Sequence, residues 1–337
     1  MAVTINDVAK KAGVSITTVS RVLNNNYPVK KETRIIVEKV IEELNYKPNA
    51  MARSLITKKT SMIGVVVPGI TNLFFPTIVE AFENEVRNSG YSISLCNTFG
   101  DPEEEKMLME NLISRQIDGM LIIDPTYENL KNKTLDSISQ EVPTIIINGS
   151  GEGAESNFIS YDERVGTKEA LEYLLKLNHK NIVFIRGARS YSYDIKQKVY
   201  DKIIEDNNIE YSNILSVSDG NSIKVVEIVE EEVTKIFENE IKPTAFFACN
   251  ELMALGAINA CNNLGLKIPD DISIISCDNT ILSKITSPKL TTIDLKIKDI
   301  GQKAATNLIH IIETQFKGKR KINLDTELII RDSCKEI

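Results

Sequence analysis

Between Ser15 and Asn24 the chain places Ile16, Thr17, Thr18, Ser20 and Arg21, side chains with the chemistry to read base-pair edges. The Arg21 guanidinium can donate a bidentate pair to guanine, the threonine hydroxyls reach bases or phosphates, Ser20 can meet a phosphate, and Ile16 can touch a thymine methyl. A second set is scattered through the rest of the chain: the Asn72–Phe75 segment with Phe74, then Asn97, Asn148, Asp162, Lys196, Glu251 and Asp278. Together these supply donors, acceptors and aromatic faces suited to a small polar ligand.

The first set needs a helix held by a small core. Thr4 is a good N-cap for a helix from Ile5 to Ala12, with Ile5, Val8, Ala9 and Ala12 on one face and Gly13 as its stop. Ser15 caps a second helix that turns Val19, Val22 and Leu23 inward and Thr17, Thr18, Ser20 and Arg21 outward. A third, from about Lys31 to Leu44, offers Ile35, Val37, Val40, Ile41 and Leu44 to the same core. Helix, glycine turn, helix predicts an all-α helix-turn-helix head over residues 1–47, whose second helix fits the major groove. Charge points the same way: residues 1–60 carry 11 Lys and Arg against 5 Asp and Glu, while the whole chain is at −7.

A hinge and linker are expected over 48–60. Pro48 opens it, and Asn49, Ala50, Met51, Ala52 and Arg53 can form a short helix, too short to be stable alone in water. Leu55 by itself reads as a buried leucine. From residue 61 short apolar strands alternate with amphipathic helices, which predicts an α/β body of parallel-sheet units. Strands are expected over Met62 to Pro68, Tyr91 to Cys96, Gly119 to Ile123 and Pro143 to Asn148. A second series covers Ile182 to Arg186, Ala245 to Cys249, Ile272 to Cys277 and Leu290 to Ile293. Two series imply two lobes, one about 61–161 plus 293–322, the other about 162–292 plus 323–337. Ligands of open α/β sheets bind beyond the carboxyl ends of the strands, where the second residue set falls. Glu251 has two readings, a ligand contact or a favourable anion at its own helix N-terminus. Lys196 is either a ligand contact or an exposed lysine.

Other functions find little footing. Cys96, Cys249, Cys261, Cys277 and Cys334 are scattered, and His179 and His310 have no cysteine beside them, so no metal site is expected. No apolar run reaches membrane-spanning length and no secretory leader is evident, which predicts a cytoplasmic protein without a membrane partner. Gly149, Gly151 and Ala154 match a dinucleotide-binding pattern, but the following Glu155–Asp162 stretch reads as a strand instead of a helix, so this is a loop and no cofactor is expected. Neither a nucleophile elbow nor a phosphate-cradling Gly-Lys-Ser/Thr loop is present, which argues against an enzyme. A sugar-binding transport protein would share the body but lack the basic head.

The segment VTINDVAKKAGVSITTVSRVLN, residues 3–24, resembles the helix-turn-helix signature of the lactose repressor (LacI/GalR) family. The likeness continues through 29–55 and into GVVVPGITNLFF, PTAFFACNELMALGAINA and LGLKIPDDISIISCDN. It implies a regulator, a repressor by family habit, that binds a pseudopalindromic operator in double-stranded DNA as a homodimer. Thr4, Ser15, Asn24 and the hinge residues Asn49, Ala50, Arg53 and Leu55 join the DNA contacts on this basis, Leu55 as a wedge between base pairs. The resemblance further implies a periplasmic-binding-protein-like body with a small-molecule effector, a sugar or related metabolite, in the cleft. Departures bear on the effector: Lys196 stands where sugar-binding members commonly have arginine, Asn148 replaces a frequent aspartate, and Ser218, Asp219 and Gly220 offer no aromatic. A lysine cannot reproduce a bidentate fork. The ISCDNTILS stretch resembles the catabolite-control branch, which implies as an alternative a phosphorylated carrier protein as corepressor, met by Lys284 or Lys289.

Overall fold

The computed structural model describes residues 3–24, 27–47, 59–149, 155–188, 190–218 and 220–337. The chain forms two compact units, Met1–Thr60 and Ser61–Ile337. In the first, α1 (Ile5–Ala12), α2 (Ile16–Asn24) and α3 (Lys31–Glu43) enclose Val8, Ala9, Val19, Val22, Val37 and Val40. A capping box starts α1: Thr4 Oγ1 accepts from Asp7 N, and the Asp7 carboxylate accepts from Thr4 N at 2.8 Å. Gly13, at φ +68°, ends it in the left-handed conformation that lets α2 begin three residues later. Ile41 and Leu44 pack on this core, but Ile35 does not. It is exposed, because α3 turns Val37 and Val40 inward and carries Ile35 and Ile36 off the contact face.

The second unit holds two six-stranded sheets. The first contains β1 (Met62–Val67), β2 (Ser92–Asn97), β3 (Gly119–Ile123), β4 (Thr144–Asn148), β5 (Asn157–Tyr161) and β11 (Lys321–Leu324), ordered β11-β5-β4-β3-β1-β2 and parallel throughout. The second contains β6 (Ile182–Gly187), β7 (Asn213–Val217), β8 (Ala245–Ala248), β9 (Ser273–Asp278), β10 (Thr291–Asp294) and β12 (Glu327–Ile329), ordered β12-β10-β9-β8-β6-β7. Here β12 runs antiparallel to β10 at the edge, so this sheet is mixed where a parallel one is expected. The central strands are buried on both faces, which explains their continuous Val and Ile runs.

Helices cover the sheets: α4 (Phe74–Asn88), α5 (Pro102–Ser114), α6 (Tyr127–Lys131), α7 (Thr134–Glu141) and α13 (Ile297–Thr314) in the first lobe. The second has α8 (Glu163–Lys176), α9 (Tyr191–Asp206), α10 (Val225–Ile236), α11 (Glu251–Asn263) and the short α12 (Leu282–Ile285). Each lobe has one helix pair in close approach through a glycine. A Cβ on Gly301 of α13 would stand 2.5 Å from the Ile78 carbonyl of α4, and one on Gly256 of α11 would stand 2.5 Å from the Val226 carbonyl of α10. None of the described helices is long and apolar enough to cross a membrane.

The chain passes between lobes three times: after β5, after β10 and after β11. Two expected boundaries therefore shift, since all of β10 belongs to the second sheet and all of β11 to the first, moving the edges from 292 and 322 to 294 and 324. Buried Thr326 ties two of the passages together, its hydroxyl donating to the Asp162 carbonyl at 2.8 Å and accepting from Gly166 N at 3.0 Å.

Candidate functional site

Two places gather the side chains named above, one in each unit. On the head, α2 buries Val19 and Val22 and leaves Ile16, Thr17 and Arg21 exposed, with Thr18 and Ser20 half-buried beside them. Ser15 starts the helix by accepting from Thr18 N at 3.2 Å, and the two hydroxyls lie 2.9 Å apart. The Arg21 guanidinium sits over the ring of Tyr27, 5.1 Å from its centroid, which holds an exposed cation in a defined place. Tyr27, itself 60% exposed, is a candidate contact the sequence argument missed.

In the body a cavity of about 30 Å³, room for a single water, lies between the lobes at the carboxyl ends of the central strands. Asn72, Phe74, Phe75, Asp124 and Tyr161 line it from the first lobe, and Glu163, Ser192, Tyr193, Lys196, Asn250 and Asp278 from the second. A polar bridge holds the lobes together over it. Asn72 Nδ2 donates to Asn221 Oδ1 at 3.1 Å, the same oxygen accepts from Tyr193 Oη at 3.1 Å, and Asn250 Nδ2 donates to the Gly220 carbonyl at 2.7 Å. Gly220 and Gly187 let the Tyr193 ring lie flat on the backbone: a Cβ at Gly187 would stand 2.4 Å from that ring.

Charge is concentrated here. The Lys196 ammonium is almost fully buried and paired with Glu163, and it donates to Ser192 Oγ at 2.6 Å. Burial disfavours the ammonium, yet the Glu163 carboxylate outweighs it and keeps Lys196 above the ordinary lysine range. Desolvation, with repulsion from Glu163, pushes Asp124 up to about 7. Desolvation and the neighbouring Glu251 hold Asp278 well above the usual carboxylate range. Asp124 follows β3 and Asp278 is the last residue of β9, and both have positive φ, +48° and +102°, a conformation that costs on the order of 1–3 kcal/mol. Cys249, also lining the cavity, is kept a neutral thiol by burial, its pKa about 12.

The head matches the family model described as bacterial regulatory proteins, lacI family, over residues 4–49, and residues 171–334 match that of a periplasmic binding protein-like domain. The HTH-type transcriptional regulator DegA of Bacillus subtilis is 34% identical, covering 99% of this chain and 98% of its own. The HTH-type transcriptional repressor PurR of Pasteurella multocida is 35% identical, with 98% of each chain covered. This chain belongs to the LacI family. Its structure agrees with that of the lac repressor dimer bound to operator and the anti-inducer ONPF, with a TM-score of 0.86 at 27% identity over 99% of this chain and 100% of the other.

As a LacI-family member it is a DNA-binding transcriptional regulator, with a helix-turn-helix head and a two-lobed body. Five of the nine expected effector residues line the cavity of this regulator: Asn72, Phe74, Phe75, Lys196 and Asp278. Four do not. Asn97 ends the edge strand β2, away from the cleft, and accepts from Phe99 N at 3.2 Å to shape its own loop. Asn148 is buried at the end of β4, outside the lining. Asp162 caps α8, accepting from Arg164 N at 3.0 Å and pairing with the Arg164 side chain, while the next residue, Glu163, turns into the cavity. Glu251 stands outside the lining, at the first position of α11 behind its N-cap Asn250, where the helix N-terminus reading puts it. Its buried carboxylate accepts from Thr280 N at 2.9 Å and from the Thr280 hydroxyl, pinning the turn that presents Asp278.

On the DNA side Thr4 is engaged in the capping box. Asn24 ends α2. Its side chain lies outside the described residues, as do the hinge positions Asn49, Ala50, Arg53 and Leu55 and the 150–154 loop. Lys284 borders a separate surface groove with Leu73 and Lys296. The cleft residues missed by sequence reading are chiefly Asp124, Tyr161, Glu163, Tyr193 and Asn221. Asp124 carried a usable signal, as the polar residue directly after β3; Tyr193 and Asn221 carried none.

Proposed function

We propose that this regulator represses transcription as a homodimer on a pseudopalindromic operator, each head laying α2 in the major groove, with a small polar effector in the interlobe cavity tuning its affinity. It would act in the cytoplasm, where its DNA is. Support for the DNA part is the exposed Ile16, Thr17 and Arg21 face on a helix whose opposite side is locked into the head core. Support for the dimer and effector parts is the likeness to a lac repressor dimer bound to operator and anti-inducer. In this reading Thr4, Ser15, Thr18, Ser20 and Asn24 support phosphate contacts, and the hinge supplies Asn49, Ala50, Arg53 and Leu55 to the minor groove.

The observation that carries the regulatory part is the size of the cavity. With about 30 Å³ between lobes bridged by Asn72 and Asn221, a ligand much larger than water would widen the cleft and strain that bridge. That is the differential contact an effector needs to shift a conformational equilibrium. The chemistry is recognition instead of turnover, in keeping with the inert thiol of Cys249. Selection of bound duplexes from a random pool by the full chain tests the proposal. An enriched two-fold symmetric site, with half-sites about one helical turn apart, is expected. An enriched site without symmetry contradicts the dimer, and no enrichment contradicts sequence-specific reading.

A further inference from the structure

We infer that the effector carries a protonated amine, held between Asp124 of the first lobe and Asp278 of the second against an aromatic wall. The inference rests on the reading of the interlobe cavity as the effector site and names the chemical class of the ligand.

What the cavity still needs follows from what its groups already have. Its neutral polar side chains are spent on one another: Asn72 and Tyr193 donate to Asn221, and Asn250 donates to Gly220. Lys196, the cation among the described lining residues, is spent on Glu163 and Ser192. What remains is acceptor capacity. Among the described residues Glu163 Oε2 has no hydrogen-bond partner although its side chain is 1% exposed, and it belongs to the cavity lining. Once Lys196 and Glu163 are counted as a neutral pair, Asp124 and Asp278 stand in the cavity as two carboxylates without a cation. Arg189 and Asp219, neighbours in sequence of the cavity segments, are of opposite sign and lie outside the described residues.

The apolar part of the lining has the complementary form. Phe74 and Phe75 meet edge to face at 5.2 Å, and Phe74 meets Tyr161 at 5.8 Å, so aromatic rings stand on the side of the cavity that carries Asp124. Aromatic faces with carboxylates attract ammonium ions through ring quadrupoles and direct charge. An ammonium brings three donors and no acceptor, which matches the unpartnered Glu163 Oε2 and two carboxyl groups that become pure acceptors on giving up their protons.

A pH signature follows. Asp124 faces Glu163 and Lys196 of the second lobe and Glu105 of α5, with Tyr161 at hand; Asp278 faces Glu251, Lys196 and Glu163. Because Asp124 holds its proton up to about pH 7 in the unliganded cleft, an ammonium must displace that proton below this pH. Affinity for the amine therefore rises as pH rises toward 7 and levels above it.

The test is calorimetric titration of the full chain with matched pairs that exchange an amine for a hydroxyl: glucosamine and glucose, galactosamine and galactose, 1,4-diaminobutane and 1,4-butanediol. Wild type, Asp124→Asn and Asp278→Asn are compared in buffers of differing ionisation heat. Expected is binding of at least one amine, tenfold or more over its hydroxyl partner, with proton release at pH 6 and a tenfold or greater loss in each variant. A hydroxyl member that binds as well as its amine, and loses affinity in Asp278→Asn, overturns the amine and leaves the effector cleft standing. Amine binding indifferent to both substitutions overturns the cleft as well. Failure of every amine to bind overturns the proposal.

Discussion

The head and the interlobe cleft solve the problem of positioning polar side chains in opposite ways. On the head a single helix carries the reading residues, so Ile16, Thr17, Ser20 and Arg21 take their places from local geometry, and a small core of Val8, Val19, Val22, Val37 and Val40 only has to hold that helix still. The cleft instead takes Asn72, Asp124, Glu163, Lys196 and Asp278 from five segments of two lobes, and it buries charge to do so. A site on one helix survives loss of any one polar side chain as a fold. A site assembled from buried, mutually dependent charges does not.

The largest effect expected from this contrast is at Lys196. Lys196→Ala strands Glu163 as a buried unpaired carboxylate, and should destabilise the body by about 3–5 kcal/mol in denaturant unfolding, with the operator-reading residues untouched. Arg21→Ala should leave thermal unfolding unchanged while weakening the selected site by about 1–3 kcal/mol, roughly five- to 150-fold, in gel-shift titration. Stability loss from Arg21→Ala, or none from Lys196→Ala, breaks the comparison. Thr4→Ala removes the capping box of α1 and should cost the head about 1 kcal/mol, read as lower helicity and a lower melting temperature of that unit.

The two regions should also answer pH with opposite signs. Asp7 is held below the usual carboxylate range by its hydrogen bonds to Thr4, and Glu43 by Lys11, so their contribution is present at neutral pH and lost as pH falls through their folded values. Asp124 is raised from 3.8 to about 7, so its folded form is favoured below about pH 4 and loses that advantage as pH climbs to 7. Hydrogen exchange should show the body losing protection as pH rises from about 4 to 7 and the head losing protection only as pH falls below about 4, and Asp124→Asn should reduce the body's slope alone.

The same contrast explains what could be read from sequence. The head was legible almost to the residue, since the Thr4 N-cap, glycine stop and 3.6-residue periodicity are local signals; Ile35 failed because the period alone does not say where the stripe ends. Central strands were legible as apolar runs, but edge strands β7, β11 and β12 were not, being short and half-exposed. In the cleft, position after a strand found Asn72 and Asp278, yet the same rule also picked Asn97, whose strand lies at the sheet edge. Tyr193 and Asn221 reach the cavity only because the lobes close over it, and no local pattern encodes that closure. Glu251 shows the subtler case, a buried acid whose importance was evident and whose partner, Thr280, was not.

The central claim is that Arg21 on α2 reads a base. Salt titration of wild type and Arg21→Ala on the selected duplex, and on duplexes changed one base pair at a time, tests it most directly. The account predicts that wild type loses about 1–3 kcal/mol at one base pair of each half-site, and that the variant binds all four bases there alike with little change in salt slope. Equal weakening on every duplex, with the salt slope falling by about one, would make Arg21 a phosphate contact and contradict the claim.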